Sequence, residues 1–390
     1  MNNWKDCKLG DAPFEIIDGD RGKNYPKKDE FFESGYCLFL NTKNVTTNGF
    51  KFTELNFITK EKDERLRKGK LKRYDLVLTT RGTVGNVGFY NKNIPFDNMR
   101  INSGMVIIRP NGINEKFNYQ LFKYLKRDFK IFTSGSAQPQ LPIRDLKEIS
   151  FLFPPLPEQR AIASVLSSLD DKIDLLHRQN KTLEAMAETL FRQWFVEEAK
   201  EDWEEKPLDE IADYLNGLAC QKFPFENDVN RLPVLKIKEL RNGFAENSDW
   251  VTSKVLEQYI VKNGDVIFSW SGSLLVKIWN GKNCVLNQHL FKVTSEKYPK
   301  WFYYFWTKHH LQKFISIAES KATTMGHIKR GDLHVVMVLV PSKEETEEMG
   351  IIMDPIVEKL IKNTKQICTL EQLRDTLLPK LMSGVVRMKI

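Results

Sequence analysis

Residues 154–198 read PPLPEQRAIASVLSSLDDKIDLLHRQNKTLEAMAETLFRQWFVEE, and this stretch decides the fold. Apolar or helix-compatible residues recur along it at alternating steps of three and four, the spacing that keeps one seam of a helix against a partner helix. The seam positions are Leu166, Leu169, Ile173, Leu176, Asn180, Leu183, Ala187, Leu190 and Trp194. Pro157 suits the first turn of a helix, and no proline or glycine follows before Lys200. The sequence therefore predicts one helix of about 40 residues, roughly 60 Å long.

Such a helix is typical of a spacer or a coiled-coil arm. The alternative is a long amphipathic helix inside an ordinary core, although globular helices rarely exceed about 25 residues without a break. The polar residue Asn180 on the seam is of the kind that sets register between paired helices.

A second copy of this helix follows later in the chain. Its seam positions are Ile356, Leu360, Asn363, Ile367, Leu370, Arg374 and Leu377. We expect Gly384 to end it, because glycine tolerates the left-handed conformation of a helix C-terminus. Gly350 and Pro355 depart from the first copy, and a proline inside a helix removes a hydrogen bond. The sequence therefore predicts a kink there, or a helix that begins near Asp354.

The segments in front of the two helices also match each other. The matching pairs, in chain order, are Trp4 with Trp203, Asp75 with Asp265, Gly82 with Gly272, Asn102 with Asn287, Tyr119 with Tyr303, Ile143 with Ile328, and Pro154 with Pro341. Matches in one order with slowly drifting offsets indicate an internal duplication. In the first copy we predict strands within Tyr36–Leu40, Asp75–Thr80, Gly104–Ile108 and Leu146–Phe153, and a helix over Asn118–Phe132.

These patterns predict an α+β fold. Two similar mixed α/β domains are joined by two long helices that pair as an antiparallel coiled coil, in a pseudo-two-fold internal repeat. The predicted segments are a first domain at 1–153, a central spacer helix at 154–200, a second domain at 201–341 and a C-terminal spacer helix at 342–390.

The composition is that of a folded protein with a polyanionic partner. The chain has 390 residues, is 41% hydrophobic and 28% charged, and carries a formal net charge of +8. A basic balance favours nucleic acid as the partner. Five dispersed cysteines without paired spacing indicate neither zinc nor a disulfide framework. With no apolar stretch near the length of a membrane span and no signal-peptide pattern in MNNWKDCKLGD, we expect a cytoplasmic protein without a membrane partner.

No constellation of catalytic residues is recognisable. The sequence lacks a phosphate-binding loop, a His-Glu-x-x-His pattern and clustered metal ligands. The Asn/Asp-Pro-Pro-aromatic motif of a methyltransferase is absent, and the acidic-Lys runs at 170–172 and 204–206 lack an upstream acidic partner for a nuclease site. We therefore expect no catalysis and no metal site in this chain.

Three pairs of polar loops recur at equivalent positions in the two copies. The candidate DNA contacts are Thr79, Thr80, Arg81 and Asn86 with Ser269, Trp270 and Ser271 in the first pair; Arg100 and Asn102 with Asn287, Gln288 and His289 in the second; and Ser134, Ser136, Gln138 and Gln140 with Lys321, Thr323, Thr324 and His327 in the third. Hydroxyls suit phosphates, Arg suits guanine, and Asn or Gln suits adenine. Each loop alone could equally be an ordinary turn, but their recurrence favours a binding role.

Two motifs resemble the specificity (S) subunit of type I restriction-modification systems, and the likeness covers essentially the whole chain. They are the helix opening FPPLPEQRAIA at 153–163 and the ending TLLPKLMSGV at 376–385. The resemblance implies a non-catalytic DNA reader in which each domain binds half of a split double-stranded target and the helices set the gap. It also implies docking of two methyltransferase (M) subunits and of restriction (R) subunits. S-adenosylmethionine, ATP and Mg would then reside on those partners, with no cofactor in this chain.

Two other functions remain open at this stage. One is an enzyme, a split methyltransferase or nuclease, which the missing motifs disfavour. The other is a coiled-coil scaffold that binds proteins without DNA specificity.

Overall fold

The computed structural model describes residues 4–135, 139–225, 230–244, 247–320 and 326–388. The chain forms two compact units: unit 1 comprises Met1–Asp171 and Gln372–Ile390, and unit 2 comprises Lys172–Glu371. Both boundaries fall inside long helices. This division differs from the sequence-based segments because each half of a long helix packs mainly against its own globular domain.

Unit 1 contains the first set of strands. They are β1 (Lys5–Lys8), β2 (Phe14–Asp18), β3 (Cys37–Leu40), β4 (Val45–Thr46), β5 (Gly49–Phe50), β6 (Phe57–Ile58), β7 (Leu76–Thr79), β8 (Val87–Phe89), β9 (Met99–Ile101), β10 (Met105–Pro110) and β11 (Ser150–Phe153). Unit 2 contains the second set. They are β12 (Glu204–Pro207), β13 (Asp213–Asn216), β14 (Arg231–Leu235), β15 (Trp250–Thr252), β16 (Ile260–Val261), β17 (Val266–Ser269), β18 (Leu275–Ile278), β19 (Cys284–Leu286), β20 (Leu290–Thr294) and β21 (Met337–Val340).

The α-helices alternate with these strands in a similar order in both units. They are α1 (Lys60–Arg65), α2 (Glu115–Tyr124), α3 (Lys126–Ile131), α4 (Ile143–Glu148), α5 (Leu156–Arg192), α6 (Leu208–Ile211), α7 (Ile237–Asn242), α8 (Lys300–His309), α9 (Leu311–Ser320), α10 (Arg330–His334) and α11 (Lys343–Met382). The predicted helix over 118–132 is two helices, α2 and α3, which meet at Leu125. A π-helical turn, Gln193–Glu197, continues α5.

The same sheets recur in both units. An antiparallel four-stranded sheet has the order β2-β10-β7-β8 in unit 1 and β13-β20-β17-β18 in unit 2. A smaller sheet contains the parallel pair β3 and β9 in unit 1 and β14 and β19 in unit 2. A two-stranded sheet closes each domain, β1 with β11 and β12 with β21. The α+β fold and the internal repeat predicted from the sequence are therefore confirmed.

One of the two central strands of each larger sheet, β7 in unit 1 and β17 in unit 2, is buried on both faces. In β7, Leu76 and Leu78 pack toward the helices while Val77 packs toward the smaller sheet. In β17, Phe268 packs toward the helices and Ile267 toward the smaller sheet. This alternation follows the period of two of a strand, and it explains why both runs are continuously apolar.

Matched polar contacts hold the repeated framework together. The carboxylate of Asp75, at the start of β7, lies 2.7 Å from Arg109 Nη2, and the carboxylate of Asp265 lies 2.9 Å from Lys292 Nζ. The turn before each strand needs a left-handed residue, which is Gly264 at φ 93° in unit 2 and Tyr74 at φ 74° in unit 1. Glycine adopts this conformation without the steric cost that tyrosine carries.

A tryptophan, a carboxylate and a cation close the base of each unit. In unit 1, Glu158 accepts hydrogen bonds from Trp4 Nε1 and Arg387 Nη2, both at 2.9 Å. In unit 2, Glu345 accepts a hydrogen bond from Trp203 Nε1 at 3.0 Å and pairs with Lys200. Each set ties the first residues of a domain to the start of the helix that follows it.

Portions of α5 and α11 pair antiparallel within each unit. In unit 2, Ile173 and Leu176 of α5 pack with Ile367 and Leu370 of α11, whereas Asn180 lies by Thr364. Rising numbers on one helix therefore meet falling numbers on the other. In unit 1, Asp170 of α5 accepts a hydrogen bond from Arg374 Nη1 of α11 at 3.2 Å.

The prediction that the last helix begins near Asp354 is wrong, because α11 begins at Lys343. A capping box starts it: Glu345 N donates to Ser342 Oγ at 3.2 Å, and Ser342 N donates to the Glu345 carboxylate at 3.0 Å. The helix continues through Gly350 and Pro355. Pro355 lies on the exposed side, where the carbonyl that loses its hydrogen bond can be solvated.

Candidate nucleic-acid interface

Strand β7 in unit 1 and the equivalent strand β17 in unit 2 each end in a tight polar turn. In unit 1, Asn86 N donates to Thr79 Oγ1 at 2.9 Å, and the Thr79 hydroxyl also contacts the carbonyl of Thr83. In unit 2, Ser269 Oγ donates to the carbonyl of Ser273 at 2.9 Å. The hydroxyls at the two equivalent positions are therefore used inside the turns, where they hold the loop shape.

The three candidate loops of unit 1 come together at this turn. The amide of Thr80 donates to the carbonyl of Gly104 at 2.9 Å, which joins the first loop to the second. The amide of Gly82 donates to the carbonyl of Pro139 at 3.0 Å, and the amide of Leu141 to the carbonyl of Thr80 at 2.9 Å. These bonds join the first loop to the third.

Unit 2 brings its three loops together through equivalent bonds. The amide of Gly272 donates to the carbonyl of Gly326 at 2.8 Å, and the amide of Ile328 to the carbonyl of Trp270 at 3.0 Å. The amide of Trp270 points to the carbonyl of His289 at 3.4 Å. Residues far apart in the sequence thus form one surface in each unit, and equivalent backbone hydrogen bonds join its described loops in both.

A close backbone approach supports each loop cluster. A Cβ on Gly19 would lie 2.3 Å from the carbonyl oxygen of Asn102, and a Cβ on Gly217 would lie 2.3 Å from that of Asn287. Glycine is therefore required at both positions. The dipeptides Asp18-Gly19 and Asn216-Gly217 are a repeated sequence signal that the loop analysis missed.

In unit 1, four candidate side chains are exposed or half-buried in this cluster. Ser134 is exposed, and Arg81 and Gln140 are half-buried and face each other in a short antiparallel bridge. The guanidinium of Arg81 makes no hydrogen bond or ion pair with the described residues. Asn102 is half-buried, and its Oδ1 accepts a hydrogen bond from Gly104 N at 3.0 Å.

Other candidates of unit 1 belong to its interior. Thr79, Thr80, Asn86 and Arg100 are buried. Asn86 donates to the carbonyl of Val45 at 3.1 Å and accepts from Lys126 Nζ at 3.1 Å. These side chains shape the loops from below, which differs from the surface contacts expected from the sequence.

Arg100 shows why burial matters for these assignments. It is 4% exposed, and its guanidinium pairs with Asp63 and donates to the carbonyls of Lys68 and Leu66 at 2.7 and 3.1 Å. Burial alone would raise the pKa of Asp63, but hydrogen bonds from Lys70 and Arg100 hold that pKa below its usual value. A buried cation with these partners cannot face a guanine edge, so the position corrects the expectation for Arg100.

In unit 2, aromatic and imidazole rings replace the arginine. Trp270 is half-buried, and its Nε1 donates to Asn216 Oδ1 at 3.1 Å. Its ring lies 5.8 Å from the ring of His289 and 6.4 Å from that of His327. Ser271 Oγ lies 3.1 Å from His289 Nδ1. Asn216 is exposed and joins the cluster although the sequence analysis did not select it.

The remaining candidates of unit 2 divide in the same way. Gln288 and His289 are half-buried and His327 is exposed. Ser269, Ser271 and Asn287 are buried. Ser136, Gln138, Lys321, Thr323 and Thr324 lie outside the described residues.

The described residues hold no group of three or more His, Cys, Asp or Glu side chains that could bind a metal ion. No helix among them is long and apolar enough to cross a membrane.

Comparison with known proteins assigns this chain to a family. A sequence model of the type I restriction modification DNA specificity domain matches residues 1–185 and 200–372. The chain belongs to this family. Both matched regions begin with a globular segment and continue into a long helix, which agrees with the repeat in the structure. The family indicated by the sequence motifs is confirmed.

Relatives and solved structures agree with this assignment. The chain is 29% identical over 345 residues to the type I restriction enzyme MjaIX specificity subunit of Methanocaldococcus jannaschii, covering 80% of this chain and 78% of the relative. It is 20% identical to the HindI specificity subunit of Haemophilus influenzae, covering 99% and 100%. The crystal structure of a type I restriction-modification S subunit from M. genitalium shares the fold, with a TM-score of 0.60 at 16% identity, covering 100% of this chain and 98% of that one.

Proposed function

We propose that this specificity subunit selects the DNA sequence on which a type I restriction-modification enzyme acts, and that each unit reads one half of a split double-stranded target. The observation that carries the proposal is the loop cluster, which is joined by equivalent backbone hydrogen bonds in both units but has different side chains at its surface. A shared framework with different surface chemistry suits two domains that read different base sequences.

The chemistry of the two surfaces supports different readouts. Arg81 in unit 1 is a permanent cation whose guanidinium has no partner among the described residues, which suits the acceptor edge of guanine. The surface of unit 2 offers Gln288, His289 and Trp270, which combine an amide, an imidazole and a ring edge. The net charge of +8 favours a DNA backbone as the partner of the whole chain.

The paired helices support a role in spacing the two readers. Asn180 and Asn363 form a hydrogen-bonded pair in the seam, and a polar pair at such a position specifies one register. We propose that this register sets the unread gap between the two half-sites. Methyltransferase and restriction subunits would dock on the same chain.

The catalytic steps belong, in this proposal, to the partner subunits. Two methyltransferase subunits would supply S-adenosylmethionine-dependent methylation of adenine, and restriction subunits would supply ATP- and Mg-dependent translocation and cleavage. The chain itself would act in the cytoplasm without a cofactor and without catalytic residues.

The test is single-molecule sequencing of adenine methylation in cells with the methyltransferase subunit, with and without this chain. We expect a split motif that disappears when the chain is deleted. Arg81→Ala should then relax one base position in the half read by unit 1, and His289→Ala should affect only the other half. Lys359→Ala, an exposed cation on α11, is the matched control and should leave both halves unchanged.

Unchanged methylation after deletion, with an active methyltransferase subunit present, would contradict the proposal and favour a protein-binding scaffold. Uniform weakening of all sequences by Arg81→Ala would assign Arg81 to a phosphate contact instead of a base.

A further inference from the structure

The first residues of α11 differ in size and polarity from the equivalent residues of α5. The alignment that pairs Pro154 with Pro341 and Thr189 with Thr376 also pairs four residues of α5 with four of α11. These pairs are Gln159 with Thr346, Ala163 with Gly350, Ser164 with Ile351, and Ser168 with Pro355. The second helix therefore has smaller residues at two positions and apolar residues at two others.

The two smaller residues open a cleft in unit 2. In unit 1, Gln159 is buried and bridges the chain, since it accepts from Asn114 N at 3.0 Å and donates to the carbonyl of Pro154 at 2.9 Å. Thr346 is too short to span the same space. A cleft of about 710 Å³ lies here in unit 2, lined by Tyr298, Pro299, Pro341, Thr346, Gly350 and Pro355 among others.

A buried donor without a partner lies beneath the floor of this cleft. Trp301 is fully buried, and its Nε1 has no hydrogen-bond partner among the described residues. A Cβ on Gly350 would lie 3.9 Å from that nitrogen and 3.2 Å from Asp354 Oδ2. An unpaired buried donor costs free energy, which a bound acceptor at this glycine would offset.

The rim of the cleft is apolar and open. Ile351 is 76% exposed and Ile352 is 49% exposed, and Ile351 and Pro355 both line the cleft. At the equivalent positions α5 presents Ser164 and Ser168 to solvent. Adjacent exposed isoleucines beside a cleft are a feature of protein contact surfaces.

The start of α11 carries a net negative charge, opposite in sign to that of the whole chain. Residues 343–358 contain one lysine and six carboxylates, and residues 156–171 of α5 contain one arginine and three. The cleft itself is lined by the carboxylates of Glu347, Asp354 and Glu358 and by the lysines Lys297 and Lys343. Glu344, Glu348, Asp354 and Glu358 form no ion pair with a described residue. Burial and then the neighbouring Glu358 raise the pKa of Asp354, so a nearby cation would stabilise its charged form.

We infer that this cleft and rim form a docking surface, used once per chain, for a basic protein segment that inserts a large apolar side chain. Lysine or arginine on that segment would pair with the carboxylates, while its apolar side chain fills the cleft beside Ile351. The excess of carboxylates on this part of α11 disfavours a DNA backbone as the occupant. This inference rests on the proposed function, because it assigns the basic segment to a partner subunit of the same enzyme.

The first test is photo-crosslinking from the full chain assembled with the methyltransferase and restriction subunits of its own system and with DNA. A photoreactive residue replaces Ile351 in one sample and Ser164 in the matched control. We expect position 351 to crosslink to one partner segment with at least two Lys or Arg residues around an apolar side chain, at about ten times the yield of position 164. A crosslink to DNA, no crosslink, or equal yields would overturn the inference.

The second test restores the residues of the first helix. Ile351→Ser with Pro355→Ser removes the rim, and Thr346→Gln with Gly350→Ala fills the cleft. We expect each pair to weaken binding of the crosslinked subunit about tenfold or more, while Ser164→Ile in α5 leaves it unchanged. Unchanged binding by the rim variant, at an unchanged melting temperature, would overturn the inference. Sequence-specific methylation is measured separately, so failure of the proposed function remains distinguishable.

Discussion

Asn363 Nδ2 on α11 donates a hydrogen bond to Asn180 Oδ1 on α5 across 3.0 Å. Asn363 is fully buried, and Asn180 Nδ2 in turn donates to Thr364 Oγ1 at 3.0 Å. Apolar contacts in the seam tolerate sliding by a heptad, but this bond forms only where the two asparagines meet. The pair therefore gives the helices one register.

Replacing one asparagine of this pair should lower the free energy of unfolding more than replacing both. Asn180→Leu leaves the buried amide of Asn363 without this acceptor, and Asn363→Leu leaves Asn180 Oδ1 without its donor, so each should lower the free energy of unfolding by about 1–3 kcal/mol. The double variant removes both polar groups and should recover part of this loss. A double-mutant cycle by chemical denaturation measures the coupling. Additive effects, within about 0.5 kcal/mol, would contradict the pairing.

Substituting the glycine beneath each loop cluster should impair recognition of only one half of the DNA target. Gly19→Ala forces a Cβ against the carbonyl of Asn102, and Gly217→Ala does so against Asn287. Each overpacking should cost about 1–3 kcal/mol and displace the loops of its own unit. Methylation mapping should show lost discrimination in one half of the target for each variant. Gly331→Ala, where the added Cβ meets nothing within 4 Å, should change neither half.

Arg100 should prove structural. Arg100→Met removes one of the two cations that pair with the buried carboxylate of Asp63 and leaves Lys70 as the other, and we expect unfolding to become easier by about 3 kcal/mol. Thermal and chemical denaturation measure this effect. The exposed Arg21 provides a control, because Arg21→Met should change stability by less than about 0.5 kcal/mol. A stable Arg100→Met protein with altered preference at one base would show that Arg100 reads DNA after all.

The start of α11 should carry an acid-sensitive contribution to stability. The hydrogen bond from Lys200, together with those from Ser342, lowers the pKa of Glu345 to about 2. A carboxyl with a lowered folded pKa stabilises the fold above its unfolded pKa, about 4.3, and loses that contribution as the pH falls toward 2. The melting temperature of the parent should therefore exceed that of Glu345→Gln at pH 6, and the two should converge near pH 2.

Lys200→Gln tests the cause of that behaviour. It removes the main hydrogen bond to Glu345, so the pH dependence between about 4.3 and 2 should shrink. The role of this carboxylate would be contradicted if the melting temperatures of the parent and of Glu345→Gln differed by the same amount at all these pH values.

The repeat and the long helices were readable from sequence because their signals are local. Heptad spacing reports which face of a helix is apolar, and the duplicated order of Trp4, Asp75, Asn102 and Pro154 reports a common chain path. The early start of α11 was also readable, since Ser342 and Glu345 form a Ser-x-x-Glu capping pattern. That signal was outweighed by Pro355, whose effect depends on which side of the helix it lies.

The accessibility of the loop side chains was not readable in this way. Arg81 and Arg100 carry the same guanidinium group. Arg81 follows the end of β7, and Arg100 lies within β9. Arg100 is committed to Asp63 and to carbonyls from a segment more than 30 residues earlier in the chain, whereas Arg81 has no such partner among the described residues. Burial is a property of the folded surroundings, and sequence spacing does not contain it.

The sequence by itself determined the α+β class, the duplication, the two long helices and the recurrence of three polar loops. Those features follow from periodicity and turn chemistry, which act over a few residues. Only the tertiary structure decided which side chains remain at the surface, that α11 passes through Pro355, and that a cleft opens beside Gly350. Each of these depends on contacts between segments that are distant in the chain. Such contacts determine both which partner a residue has and how far it lies from solvent.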